Sequence, residues 1–194
     1  MQSRVDDTVR KELLSQVSEE LDEVQETKRE SKEHADNIRM ERAEQEDIEA
    51  RRCNIILYRV PESREVLADD RRKDDTKLCE QFLIKFNVGI VDEDIRKVFR
   101  LGRRNEDHSP RPILVQLGSR HIKNLVMESL FKIKCMEGRY KNIIVAYDVT
   151  RKQREECKAL VAEAKTKTDE SGDSVYKVRG PPGQMRIIRI RTAN

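Results

Sequence analysis

Apolar residues recur along the first fifty positions at helical spacing: Val5, Val9, Leu13, Val17, Leu21, Val24 and, after a polar gap, Ala35, Ile38 and Ile48. Neither Gly nor Pro occurs between Val5 and Ile48, and Glu, Lys, Arg and Gln, all good helix formers, dominate. The pattern predicts one long helix over residues 1–50. A heptad frame places Leu14, Leu21, Lys28, Ala35 and Arg42 at one seam position and Val17, Val24, Ser31, Ile38 and Gln45 at the other. The early seam is apolar and the later seam mostly polar. So exposed a helix has little to bury alone, and self-association through Leu14, Val17, Leu21 and Val24 is expected. The alternative is a single charged helix that stays monomeric.

Beyond Arg51-Arg52 the period changes. The β-rich run Ile55–Val60, closed by Pro61, predicts a buried strand. Asp69–Asn87 carries Leu78, Phe82, Leu83 and Phe86 at helical spacing, and Gly89 ends it. Ile95–Leu101 predicts a second strand, followed by the polar basic loop Arg103–Pro110. In a third strand, Pro112–Leu117, Ile113, Val115 and Leu117 share one face. Ser119 is placed to cap a helix bearing Ile122, Leu125, Val126 and Leu130, and Ile143–Tyr147 predicts a fourth strand. The order βαββαβ is that of the ferredoxin-like split pattern used by RNA-recognition motifs.

A last segment opens on a capping box, Thr150-x-x-Gln153, before a helix whose apolar face is Cys157, Leu160, Val161 and Ala164. Thr166–Asp173 reads as a polar loop. Val175–Arg179 and Met185–Arg191 then read as a hairpin about Gly180-Pro181-Pro182-Gly183-Gln184. In that hairpin Arg189 and Arg191 are expected to join Lys177 and Arg179 in one positive ribbon. Arg186, Ile188 and Ile190 would pack on Leu160, Val161 and Ala164. The predicted fold class is α+β in three parts: a coiled-coil stalk (1–50), an RNA-recognition-motif-like domain (51–149) and a small basic C-terminal helix-plus-hairpin domain (150–194).

Charge sharpens this division. Residues 1–50 hold eight Lys/Arg against sixteen Asp/Glu, a net of −8, so the chain total of +3 leaves +11 for residues 51–194. An acidic arm on a basic body leaves the body as the part that attracts polyanions; a solvated helix beside a basic globular domain is the plainer alternative. No apolar stretch approaches the roughly 18 residues of a bilayer span, and no apolar signal core opens the chain. Membrane spanning and secretion are therefore not expected.

Chemistry other than binding finds little support. Cys53, Cys79, Cys135 and Cys157 lie too far apart for ligand pairs, and His34, His108 and His121 match none of them at metal-ligand spacing. Reduced thiols and no metal or cofactor are expected. Nucleophile-elbow, zincin and P-loop motifs are missing, and the pairs Asp69-Asp70 and Asp74-Asp75 suit a helix entrance better than acid–base work. No enzyme activity or small-molecule substrate is expected. By contrast, residues 97–154 hold fourteen Lys/Arg against five Asp/Glu, and 175–194 hold five and none. The third strand offers no aromatic for base stacking, and Tyr58 in the first serves equally as platform or core residue. Backbone-directed, salt-sensitive binding is favoured.

The acidic heptad stalk, Cys53–Glu62, Val98–Arg103, Pro110–Val115 and the run from Ile143 to Thr150 together resemble the first-open-reading-frame protein of LINE-type (non-LTR) retrotransposons. The resemblance covers most of the chain. It implies a homotrimer built on the coiled coil, a non-standard RNA-recognition motif, and a small C-terminal domain that together bind single-stranded RNA and also DNA. It further implies a nucleic-acid chaperone coating the element's RNA in cytoplasmic ribonucleoprotein particles and also in the nucleus. Arg103, Arg104 and Arg111 match the family's basic loop, and Arg151 and Arg154 lie near the start of its C-terminal domain. The candidate contacts are accordingly Arg52, Tyr58, Arg100, Arg103, Arg104, Arg111, Arg139, Lys141, Arg151, Arg154, Lys177, Arg179, Arg189 and Arg191. A coiled-coil scaffold that binds only proteins is the competing expectation.

Overall fold

The computed structural model describes residues 2–85, 89–104, 109–172 and 174–191; the side chains of 2–19, 22 and 191 lie outside that description. Residues 1–46 and 47–194 form two units. The described residues of the first are all helical, part of α1 (Gln2–Arg51), whose 50 residues contain no Gly or Pro. Leu21 and Val24 are 56% and 61% exposed in the single chain. The other two seam residues, Leu14 and Val17, lie outside the described side chains.

The second unit is α+β with antiparallel sheets. Its strands β1 (Asn54–Tyr58), β2 (Ile95–Arg100), β3 (Ile113–Leu117) and β4 (Ile144–Tyr147) pair in the order β2-β3-β1-β4. Helices α2 (Ala68–Ile84) and α3 (Arg120–Glu128) supply Cys79, Phe82, Leu83 and Val126 to a core shared with Ile55, Leu57, Ile113, Val115 and Val145. Each such apolar side chain contributes about 1.5–3 kcal/mol by leaving water. Burial also pushes the Cys79 thiol up to about 12, with Asp75 adding to the effect, so this sulfur is inert at neutral pH.

Local signals set the helix starts. Ser119 Oγ accepts from the Ile122 N–H at 3.2 Å, and Thr150 and Gln153 form the expected reciprocal capping box. α2 carries Asp69 and Asp70 in its first turn, where they favour the helix dipole. The expected end of that helix, Phe86-Asn87, lies outside the described residues.

One expected loop is instead helix. α4 runs Arg151–Ser171, through the polar stretch that begins at Thr166. Polarity alone does not break a helix. Lys167 pairs with Glu163 one turn back, and Thr168 Oγ1 bonds the Ala164 carbonyl, so nothing stops the helix before Gly172 at φ 63°.

The hairpin β5 (Ser174–Arg179) and β6 (Arg186–Arg191) forms as expected, with a different register and packing. Tyr176 N–H donates to Thr168 Oγ1 at 2.8 Å, so β5 rather than β6 is tied to α4. The turn depends on Gly180 at φ 115°, where an added Cβ would fall 2.5 Å from the Gln184 carbonyl oxygen.

Candidate nucleic-acid interface

Antiparallel pairing divides the four-stranded sheet into a core face and an open face. On the open face the register aligns Phe99, Leu114, Ile56 and Ala146 in one row, and Tyr58 beside Ile144 in the next. Tyr58, Phe99 and Ile144 are 41%, 46% and 44% exposed. Tyr58 therefore stands on the open face and not in the core. Phe99 falls outside the sequence candidates because the usual base-stacking aromatics lie on the first and third strands, and it lies on the second. The alternation of half-buried Val98 and exposed Phe99 along β2 is the signal that marks it.

The same antiparallel order collects cations at one end of the sheet. β1 and β2 finish there and β3 and β4 begin there, so Arg59, Arg103, Arg104, Arg111 and Lys141 approach one another in topology. The opposite end holds Asp92, Glu93, Asp94 and Asp148. Arg103, Arg104 and Lys141 are exposed and have no ionic partner among the described residues. Residues 105–108, His108 included, lie outside the described residues. Arg59, also missing from the sequence candidates, is exposed with φ 61°, a left-handed conformation that ends β1 and separates exposed Tyr58 from fully buried Val60.

Two loop arginines behave differently from expectation. Arg100 has a side chain only 4% exposed, and its guanidinium holds Asp75 through two bonds, Nε at 3.0 Å and Nη2 at 2.7 Å. It also donates to the carbonyls of Val60, Pro61 and Arg111. Arg111 grips Glu62 with Nε and Nη2, each at 3.0 Å, and its own N–H donates to the same carboxylate. Arg100 is thereby an internal brace, its guanidinium occupied by Asp75 and three carbonyls. Arg111, whose side chain is 19% exposed, belongs mainly to that brace. The reason is partner identity: Glu62 and Asp75 are remote in sequence and close in the fold.

The electrostatics follow. Burial disfavours the Glu62 carboxylate, but the Arg111 side chain and N–H, with the charges of Arg100 and Arg111, outweigh it and bring its pKa down to about 2. The Arg111 guanidinium is raised in turn, through its bonds to Glu62 and against the cost of burial.

The remaining candidates divide in the same way. Arg52 pairs with Glu49, Arg151 with Glu155, and Arg139 donates to Gln81 and to the Tyr140 hydroxyl. Arg154 is exposed without an ionic partner among the described residues. In the hairpin, Lys177 faces Ile188 across the strands and Arg179 faces Arg186, whereas Arg189 faces Tyr176 and Arg191 faces Ser174. Cross-strand partners share a face, so Lys177 and Arg179 join Arg186, and the expected ribbon with Arg189 and Arg191 does not form. Arg189 Nε donates to Ser174 Oγ at 2.8 Å; the Arg191 side chain lies outside the description.

Among the described residues no group of three or more His, Cys, Asp or Glu is placed to hold a metal ion, and no helix is long and apolar enough to cross a membrane. Among the described residues the arrangement comprises exposed Tyr58, Phe99 and Ile144, cations without an ionic partner, and the brace of Arg100 and Arg111 with Asp75 and Glu62. No protein-family model matches the sequence, and no curated protein matches it either.

Proposed function

We propose that this protein is a non-enzymatic single-stranded nucleic-acid-binding protein and nucleic-acid chaperone of the LINE-type retrotransposon ribonucleoprotein. It binds RNA, and also single-stranded DNA, mainly through the phosphate backbone. The observation that carries the reading is the collection of Arg59, Arg103, Arg104 and Lys141 at the end of the sheet where Tyr58 is exposed. Such a surface suits phosphates followed by a stacked base. The strand order is compatible with a ferredoxin-like, RNA-recognition-motif-like domain. The hairpin adds support. Arg179 directly opposite Arg186 is a like-charge pair, unfavourable until an anion lies across it.

Self-association belongs to the same reading: exposed Leu21 and Val24 join Leu14 and Val17 in the seam of a homotrimeric coiled coil. Leu14→Asp with Leu21→Asp is expected to give monomers in sedimentation with a folded body, since buried unpaired charges cost several kcal/mol. An unchanged mass would remove the seam. The work of such a protein lies in cytoplasmic and nuclear ribonucleoprotein particles.

The deciding experiment compares binding to heparin and to single-stranded RNA at matched salt. Tight, salt-sensitive binding to both is expected. Tight binding to neither would favour the scaffold reading, which rests on the exposed apolar residues of α1.

A further inference from the structure

We propose that Phe99 is a base-stacking residue, so that the sheet holds two bases of one single strand, one on Tyr58 of β1 and one on Phe99 of β2. The inference rests on the nucleic-acid reading above and adds to it a residue and a path for the strand.

Three observations lead there. Phe99 is nearly half exposed on the open face, while Phe82, another of only four phenylalanines in the chain, is fully buried. A solvent-facing strand position is also well served by Thr, so strand propensity alone does not demand an aromatic ring there. The ring also has apolar neighbours on its face: half-buried Leu114 lies beside it in its row with buried Ile56 beyond, and exposed Tyr58 and Ile144 stand in the next row. Finally, cations border this surface. Lys97 occupies the same face one repeat earlier on β2, and Arg103 and Arg104 follow the strand. A pocket of about 270 Å³ beside the ring is lined by Phe99, Arg71, Arg72, Asp75, Arg100 and Arg111, with Arg72, Arg100 and Arg111 held by Asp69, Asp75 and Glu62.

That combination selects the occupant. A protein helix or a second apolar face would meet unpaired positive charges along the rim, whereas a single strand brings flat bases for the rings and phosphates for the cations. Tyr58 and Phe99 sit two strands and one side-chain repeat apart, about 12 Å between Cα positions. That exceeds the ~3.4 Å rise between stacked bases, so the two rings take separate bases and cannot sandwich one. The strand crosses the sheet diagonally from the basic end toward the β2 edge. Because every base has a π face, the ring adds affinity without reading sequence.

The test uses the full chain and two fluorescent probes of equal length and phosphate count, a single-stranded RNA oligonucleotide and an abasic phosphodiester strand. Phe99→Leu keeps apolar volume and removes the ring; Phe99→Tyr keeps the ring. For Phe99→Leu the expected result is about tenfold weaker binding to the RNA, the order of a single base–aromatic stack. Its affinity for the abasic strand and its salt slope should stay at the wild-type values. Phe99→Tyr should bind RNA as the wild type does. Equal affinity of Phe99→Leu and wild type for the RNA would overturn the role of Phe99 while leaving the backbone reading intact. A change in sedimentation mass in Phe99→Leu would assign the face to a second copy and overturn it as well. Wild-type protein that binds neither probe would overturn the nucleic-acid reading itself.

Discussion

Arg100 and Arg111, at the base of the loop joining β2 to β3, and Arg103 and Arg104, a few residues along it, have the same chemistry and opposite fates. The first pair is enclosed with Glu62 and Asp75 in bidentate geometry. The second pair is exposed without an ionic partner among the described residues. A guanidinium already occupied by a buried carboxylate adds little to the attraction of a polyanion, because the pair is nearly neutral from outside. With respect to the described residues, Arg103 and Arg104 keep their full charge. The number of arginines is thus a poor measure of binding capacity; what matters is how many the fold leaves unanswered.

The largest expected effect comes from breaking the enclosed pair. Arg100→Ala leaves Asp75, whose side chain is 11% exposed, without its ionic partner and removes the second cation beside Glu62, which Arg111 still holds; it is expected to cost about 3–5 kcal/mol in denaturant unfolding. Arg100→Lys should also destabilise, since an ammonium cannot supply the forked bonds. Wild-type stability in Arg100→Ala would mean that the brace is ornamental.

Acid sharpens the same comparison from the carboxylate side. The folded protein holds the Glu62 pKa down to about 2 from an ordinary 4.5, so its stabilising contribution is complete above pH 4.5. That contribution drains away as pH falls from 4.5 toward 2. Glu62→Gln should be less stable than wild type at neutral pH and should lose less on acidification over that window. Parallel pH–stability curves for the two would contradict the assignment.

A smaller effect is expected beside Tyr58. Arg59→Gly relieves a left-handed backbone and removes one cation, so a stability gain of roughly 0.5–1 kcal/mol is expected together with weaker RNA binding. Thermal unfolding and anisotropy on one preparation read both. A loss of stability would show that the Arg59 side chain contributes more than its conformation costs.

Much of the fold is legible in the sequence because its determinants are local. The Ser119 and Thr150 caps, the strand runs of β1 and β3 and the order of elements follow from neighbours within a few residues. What stays hidden depends on long separations or on register. Nothing near Arg100 reveals Asp75, 25 residues away, or Glu62. The faces of the hairpin turn on parity. Pairing Lys177 with Ile188, and not with an odd-numbered partner, sends Arg189 to the opposite face, as any one-residue slip must. Thr166–Ser171 differs from expectation for a milder reason, since polar residues in a helix resemble polar residues in a loop until a breaker is sought. The sheet aromatics are half legible: Tyr58 stands out in its strand run, and Phe99 needs the pairing of β2 with β3.

The central claim is that the unanswered cations hold the strand. Its most direct measurement is the salt dependence of single-stranded RNA binding for wild type and for Arg103→Ala with Arg104→Ala. The double variant should unfold within ~0.5 kcal/mol of wild type, as expected of exposed residues. It should bind RNA roughly tenfold more weakly near physiological salt, with the log–log slope reduced by about 0.7 for each phosphate no longer neutralised. An unchanged slope with intact affinity would contradict the claim.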